Sequence, residues 1–274
     1  MATGASRSRT LRSVTQRDLH EHRRALTAWG LGCGALALTM TALYPAVRSN
    51  PELARLHDSY PEALRALFDI GDLTSAVGFL RAELFSLTGP LLLVLLAVSW
   101  GSDLVAGEEE RGTIELLLAN PISRRQVALE KWLALATGTV LVTACLGVGL
   151  AVGLPAAGMH LDAAHVLSAV VATGMLGLLF GSIAFALGAA TGRRGLARGV
   201  TALLAVAAYL ASTLSPLVHG LGALRQASPW YHTLGVDPLA TGFAAGHLLV
   251  LVGMTAAVVG AGLVAFDRRD LATA

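Results

Sequence analysis

Apolar residues run along this chain in long stretches, and polar residues gather in the gaps between them. A helix crossing about 30 Å of hydrocarbon needs about 20 mostly apolar residues. Six stretches meet that length: Thr27 to Val47, Leu84 to Val105, Trp132 to Pro155, Val166 to Ala190, Gly199 to His219 and Gly246 to Phe266. Each predicts a helix, because a backbone in lipid must satisfy its own polar groups. One carboxylate lies within them, Asp103, near the end of its span. Polar, basic residues precede the first apolar run, which is long enough to span, so it reads as a membrane helix rather than a cleavable signal.

The gaps are patterned too. Between the first two spans, Leu64, Leu67 and Phe68 repeat at helical spacing, as do Leu73, Ala76 and Val77, with breaks at Pro61 and Gly71. That pattern predicts an amphipathic helical cap over 48–83. Leu11 to Arg24 is basic and loosely amphipathic, and predicts an interfacial helix on anionic lipid. Small residues four apart (Gly30 and Gly34, Gly149 and Gly153, Gly177 and Gly181, Gly253 and Ala257) predict close helix packing.

Composition changes the picture only by closing off other classes. Hydrophobic residues make up 54% and charged residues 14% of the 274, against about 25% charged in an ordinary soluble domain. Disorder needs the opposite balance, and a net charge of +2 gives nucleic acid nothing to bind. The Arg-rich, Ala- and Gly-rich composition fits a bacterial plasma membrane.

Charge does orient the chain. Of the twenty Lys and Arg residues, fifteen fall on one set of alternate loops. These are Arg7 to Arg24, Arg111 to Lys131, Arg193 to Arg198, and Arg268 with Arg269; the other set holds Arg48, Arg55, Arg65, Arg81 and Arg225. The richer side is expected in the cytoplasm. The expected fold is therefore all-α: a polytopic membrane protein of six transmembrane helices with both termini cytoplasmic. Its parts are a basic N-terminal segment (1–26), a transmembrane domain (27–266) with an external segment (48–83) and a cytoplasmic segment (106–125), and a tail (267–274).

One cytoplasmic segment, Gly107 to Arg124, carries a specific pattern. Glu108, Glu109 and Glu110 with Arg111 form a charged turn between Gly107 and Gly112. Thr113 is placed to cap a short helix whose face holds Ile114, Leu117 and Leu118. Asn120 and Pro121 end it, and Ser123 with Gln126 forms a capping box for the third span. An apolar helix face in the cytoplasm either lies on the membrane or meets a partner. Lys131 is the only lysine and follows Glu130, so no phosphate-binding loop of the G-x-x-x-x-G-K-[ST] kind exists here.

This segment resembles the signature of type-2 ABC exporter permeases, a G-E-E-E-x-G-T-x-E-x-L-L-x-x-P-x-S-R run after the second of six spans. The matching residues are Gly107, Glu108, Glu109, Glu110, Gly112, Thr113, Glu115, Leu117, Leu118, Pro121, Ser123 and Arg124. The basic N-terminus, the large first external segment and Arg268 to Leu271 after the last span extend the likeness. The external segment is similar to that of nitrous-oxide-maturation and drug-efflux permeases. The resemblance implies a permease dimer, of identical or related subunits, driven by two separate ABC ATPase subunits that bind ATP and magnesium, with no cofactor in this chain. It also implies that 106–125 is the coupling element, with Ile114, Leu117 and Leu118 buried in the ATPase and Glu108 to Arg111 as hinge and ionic contacts. Spans one, two and five would tilt around a path for a small hydrophobic or amphipathic substrate.

Other chemistry is thinner. His160, His165, His219 and His232 sit at the external side with Asp162 and Asp237, and His57 and His247 lean toward it, but without metal-site spacing. Cys33 and Cys145 sit in apolar runs, as packing residues. Ser215 and His219, four apart, admit an intramembrane hydrolase, but lack an evident oxyanion hole. A non-transporting membrane anchor for a cytoplasmic protein is the third reading. Pro90 and Pro216 mark either static kinks or flex points.

Overall fold

The structure, a computed structural model, describes residues 3–50, 73–113, 123–215 and 222–269, and the regular structure among them is helical. The elements are α1 (Thr3–Arg48), α2 (Ala76–Leu80), α3 (Thr88–Leu104), α4 (Ala106–Glu110), α5 (Arg124–Ala156), α6 (Ala163–Thr191), α7 (Arg194–Leu214), α8 (Gly222–Ala227), α9 (Tyr231–Leu234), α10 (Pro238–Thr241) and α11 (Ala245–Arg268). Six stretches are long and apolar enough to cross a membrane: Val14–Arg48, Ala76–Leu104, Arg124–Ala156, Ala163–Thr191, Arg194–Leu214 and Ala245–Arg268. They correspond one to one with the six expected spans. The chain is a multi-pass membrane protein.

The differences lie at the span ends. α1 is one helix, so the basic segment and the first span are a single element rather than an interfacial helix followed by a span. From Val14 onward the basic part packs on α5: Val14 and Asp18 are buried, and the Thr15 hydroxyl donates to the Glu130 carbonyl at 3.0 Å. The second span starts earlier than its apolar run. Ser75 caps α2, its Oγ accepting the Gly78 N–H, and a π-helical turn (Arg81–Phe85) leads into α3. Ala76 and Val77 pack on the core beside the Tyr44–Phe79 ring pair, so this end of the expected external cap belongs to the bundle. The first patch of that cap, around Leu64 to Phe68, lies outside the described residues. Pro90 stands in the first turn of α3, where its missing N–H costs no helical bond. Pro216 is outside the described residues.

α6 is the central helix. α3, α5, α7 and α11 pack on it, and α1 packs on α5. Small residues set these approaches. A Cβ at Gly101 would stand 2.2 Å from the Gly181 carbonyl oxygen, and one at Gly149 would stand 2.5 Å from that of Gly34. Gly30 and Gly34 face Cys145, Gly153 faces Thr41, and Gly177 faces Leu93, so three of the four small-residue pairs line seams within the chain. Gly253 has open space in front of it. Both cysteines are free, Cys33 buried and Cys145 exposed.

The helices alternate in direction, so the N-terminal part of α1, the turn after α3, the start of α5, the α6–α7 junction and the end of α11 meet at one end of the bundle. That end carries the charged residues singled out above.

Candidate functional site

The turn that follows α3 is built by its two glycines. After Glu110 the chain closes as a Schellman motif: the Thr113 N–H donates to the Glu108 carbonyl at 2.9 Å, and the Gly112 N–H to that of Glu109 at 3.0 Å. Gly112 has φ of +68°, the left-handed conformation that costs glycine least. Gly107 is small for a different reason. A Cβ there would stand 2.2 Å from Asp103 Oδ1 and 3.2 Å from Arg111 Nη1, so glycine leaves room for the Asp103–Arg111 ion pair.

Each of the three glutamates then reaches a different part of the fold. Glu108 accepts from Lys131 of α5 at 2.6 Å, and Asp18 of α1 lies 3.5 Å from the same ammonium. Lys131 is 1% exposed. An ammonium so buried is stable only where anions replace its water, and the pair of carboxylates does that. Glu109 pairs with the Arg269 guanidinium at the end of α11, which also donates to the Ala189 carbonyl near the end of α6 at 3.1 Å. Glu110 accepts the Arg194 N–H at 3.0 Å. α7 has no side-chain cap of its own, so Glu110 supplies one from across the turn and sets its negative charge against the helix N-terminus.

Arginines fasten the surroundings. Asp103 pairs with Arg111 at 3.2 Å and with Arg194 at 2.9 Å. Beyond 114–122 the chain returns at Ser123, whose Oγ accepts the Gln126 N–H at 3.3 Å, as the capping pattern predicts. Arg124 donates to the Arg269 carbonyl at 2.7 Å, and Arg125 pairs with Asp267 at 2.8 Å. Of the expected coupling residues, Glu108 to Thr113 and Arg124 are thus brought to one end of the bundle. Ile114, Glu115, Leu117, Leu118 and Pro121 lie outside the described residues.

Sequence reasoning missed Asp103, Lys131, Arg194 and Arg269 as partners of the turn, and Asp18 and Asp267 as the carboxylates that pair with Lys131 and Arg125 beside it. A usable signal existed: these residues sit at span ends on the same side by alternation, with opposite charges on different loops.

A cavity of about 190 Å³ lies beside this network between α1, α3 and α7, lined by His22, Trp29, Leu96, Trp100, Asp103 and Arg198. His22 stacks on Trp100 at 4.8 Å between ring centres. Arg198 donates to the Ser99 carbonyl at 3.2 Å and pairs with no carboxylate among the described residues. A larger groove, about 830 Å³, opens at the opposite end between α5 and α6, with Leu154, Val166 and Val170 in its wall and His160 and Asp162 among its lining.

The opposite end holds two further pairings. Arg81 meets Asp237 at 2.7 Å, and His232 Nδ1 lies 2.8 Å from His247 Nδ1. Among the described residues no three His, Cys, Asp or Glu side chains converge as metal ligands. Ser182 accepts from Trp132 Nε1 and donates to the Leu178 carbonyl, and the Ser215 hydroxyl donates to the Ser212 carbonyl. His57 and His219 are outside the described residues.

Comparison with curated proteins gives no match for this chain. Residues 13–271 match the family model of the ABC-2 family transporter protein, nearly the whole length of the six-span bundle, and the chain belongs to that family as a permease component of an ABC transporter.

Proposed function

We propose that this chain is the permease of an exporter in the plasma membrane, working as one of two permease subunits with two copies of a separate ABC ATPase. The observation that carries the reading is the turn from Gly107 to Gly112, which is tied by ionic or hydrogen-bonded contacts to α5, α7 and the end of α11, with Asp18 of α1 sharing the Lys131 ammonium that Glu108 holds. A segment that must pass force from a soluble motor into a membrane bundle needs such an anchored base. In this reading Ile114, Glu115, Leu117 and Leu118 seat in the ATPase and Pro121 ends that contact. Glu108 to Thr113 and Arg124 hold the two ends of the segment. ATP and magnesium bind in the partner.

In this reading the end that carries the turn faces the cytoplasm, which the fifteen-to-five distribution of basic residues supports. Substrate is a small hydrophobic or amphipathic compound, moved along a path bordered by α1, α3 and α7; the cavity where these three helices part supports that assignment.

A mild-detergent pull-down from native membranes tests the reading. The expected result is a stoichiometric partner with a G-x-x-x-x-G-K-[ST] loop, lost from Leu117→Asp although that variant still inserts. Reconstituted with the partner, the complex should hydrolyse ATP faster when a transported compound is present. A partner-free protein, or Leu117→Asp that still copurifies fully, overturns the coupling assignment. Partner binding with no response to any transported compound leaves an anchor rather than a transporter.

A further inference from the structure

We propose that the C-terminal end of α11 with the extended residue that follows it, Asp267 to Arg269, is a clamp that fixes the chain on both sides of the 114–122 segment. The inference rests on the coupling role given to that segment. It concerns which residues set the segment's position rather than what the segment binds.

The contacts fall on either side of the segment. Before it, the Arg269 guanidinium pairs with Glu109. After it, the Arg269 carbonyl accepts from Arg124 at 2.7 Å, and Asp267 pairs with Arg125 at 2.8 Å. One residue therefore touches the chain on its way out with its side chain and on its way back with its backbone. The two points of attachment are fifteen positions apart in sequence, at Glu109 and Arg124, yet both are held by the same residue.

The clamp is itself braced. Arg269 donates a second bond to the Ala189 carbonyl at 3.1 Å. A planar guanidinium suits this task because its donors diverge in a fixed fork, one to a carboxylate and one to a carbonyl. Glu109 and Arg269 are both mostly buried, at 16% and 18% side-chain exposure, so the pair is largely shielded from solvent screening. Gly192, with φ of +65°, sits against the pair: a Cβ there would stand 2.8 Å from Glu109 Oε2 and 2.9 Å from both terminal nitrogens of Arg269. The α6–α7 corner is bare where the clamp needs space.

Amide hydrogen exchange on the detergent-solubilised full-length permease tests the clamp without the partner. Arg269→Ala should speed exchange across 108–126 by about tenfold or more, with 76–86 and 228–241 at the far end unchanged. Arg269→Lys should recover part of the protection, since a point charge keeps the Glu109 pair but not the fork. Gly192→Ala should mimic Arg269→Ala, and the exchanged pair Glu109→Arg with Arg269→Glu should regain protection that either change alone loses. In the reconstituted complex, Arg269→Ala should keep its ATPase partner and lose most of the substrate stimulation. Unchanged exchange at 108–126, or faster exchange throughout the bundle, overturns the clamp. A wild-type permease with no ATPase partner would overturn the transport reading and leave the exchange result standing on its own.

Discussion

Lys131 is a charge placed where apolar helices meet, and its surroundings say what keeps it there. Glu108 and Asp18 face it at 2.6 and 3.5 Å. Removing the cation leaves two buried carboxylates without a partner, and breaking a buried pair in this way costs roughly 3–5 kcal/mol. Lys131→Met should therefore lower the thermal midpoint of the solubilised protein sharply, and Lys131→Met with Glu108→Gln should recover part of the loss. A double variant no better than the single one would deny the pairing. In the sequence Lys131 shows only as one of the fifteen basic residues on its side and as a lysine outside any phosphate loop, because its partner on α1 is 113 positions away and periodicity carries no record of such distances. The glycines of the turn were more readable: Gly112 ends a helical turn by a rule that sequence spacing obeys, whereas the reason for Gly107 is a side chain, Asp103, four residues earlier at the end of α3. At the opposite end, His232 Nε2 donates to the Gln226 carbonyl at 2.9 Å, which leaves its Nδ1 to accept from His247. Burial, with His247 adding to it, holds the His232 imidazole below its ordinary value of 6.5. The unfolded chain then binds more protons than the folded one just below that value, so this contribution is full above about pH 6.5 and is lost as pH falls through the lowered value. Protection of the amides in 222–241, corrected for the intrinsic slowing of exchange in acid, should fall from pH 7.5 to 5, and His232→Gln should flatten that dependence; a dependence unchanged in the variant would place its origin elsewhere.

Helices are where the sequence was most legible, since six apolar runs of the right length admit few other structures in a membrane. Their boundaries were less so, and for a physical reason. Hydropathy marks what lipid touches, while the helix continues wherever protein covers its polar face. α1 and α5 both extend past their apolar runs because Asp18, Glu130 and Lys131 are covered by protein contacts at the place where the two helices cross. The small-residue pattern carried real packing information in three of its four pairs, but no sequence rule separates Gly181, pressed on Ala97, from Gly253, which faces open space. That contrast predicts opposite outcomes. Gly181→Val should force α3 and α6 apart and cost about 1–3 kcal/mol or more, the usual scale of overpacking, whereas Gly253→Ala should leave the thermal midpoint within measurement error. Equal effects at both positions would mean that α3 and α6 do not approach as described.

For the molecule as a whole, the distribution of charge and the contacts at the helix ends make the same demand. Basic residues gather at the end where both chain termini emerge, and much of that charge is engaged by the acidic turn and by Asp103 before it: Lys131 by Glu108, Arg269 by Glu109, and Arg111 and Arg194 by Asp103. Others stand exposed. Arg193 and Arg268 are among them, and Lys and Arg near the ends of spans favour the cytoplasmic side. The far end has few basic residues, and Arg81 there is matched by Asp237. The bias is one of Lys and Arg number, to which acidic partners contribute little, and that number favours the terminus-bearing end. Single cysteines placed in a background where Cys33 and Cys145 are alanine turn the argument into a measurement. With a membrane-impermeant maleimide on intact cells, Gln226→Cys, exposed at the far end, should label at once. Arg193→Cys, at the exposed α6–α7 corner, should label only after permeabilisation. The reverse pattern would invert the bundle, and would put the turn from Gly107 to Gly112 on the side of the membrane where no ATPase could reach it.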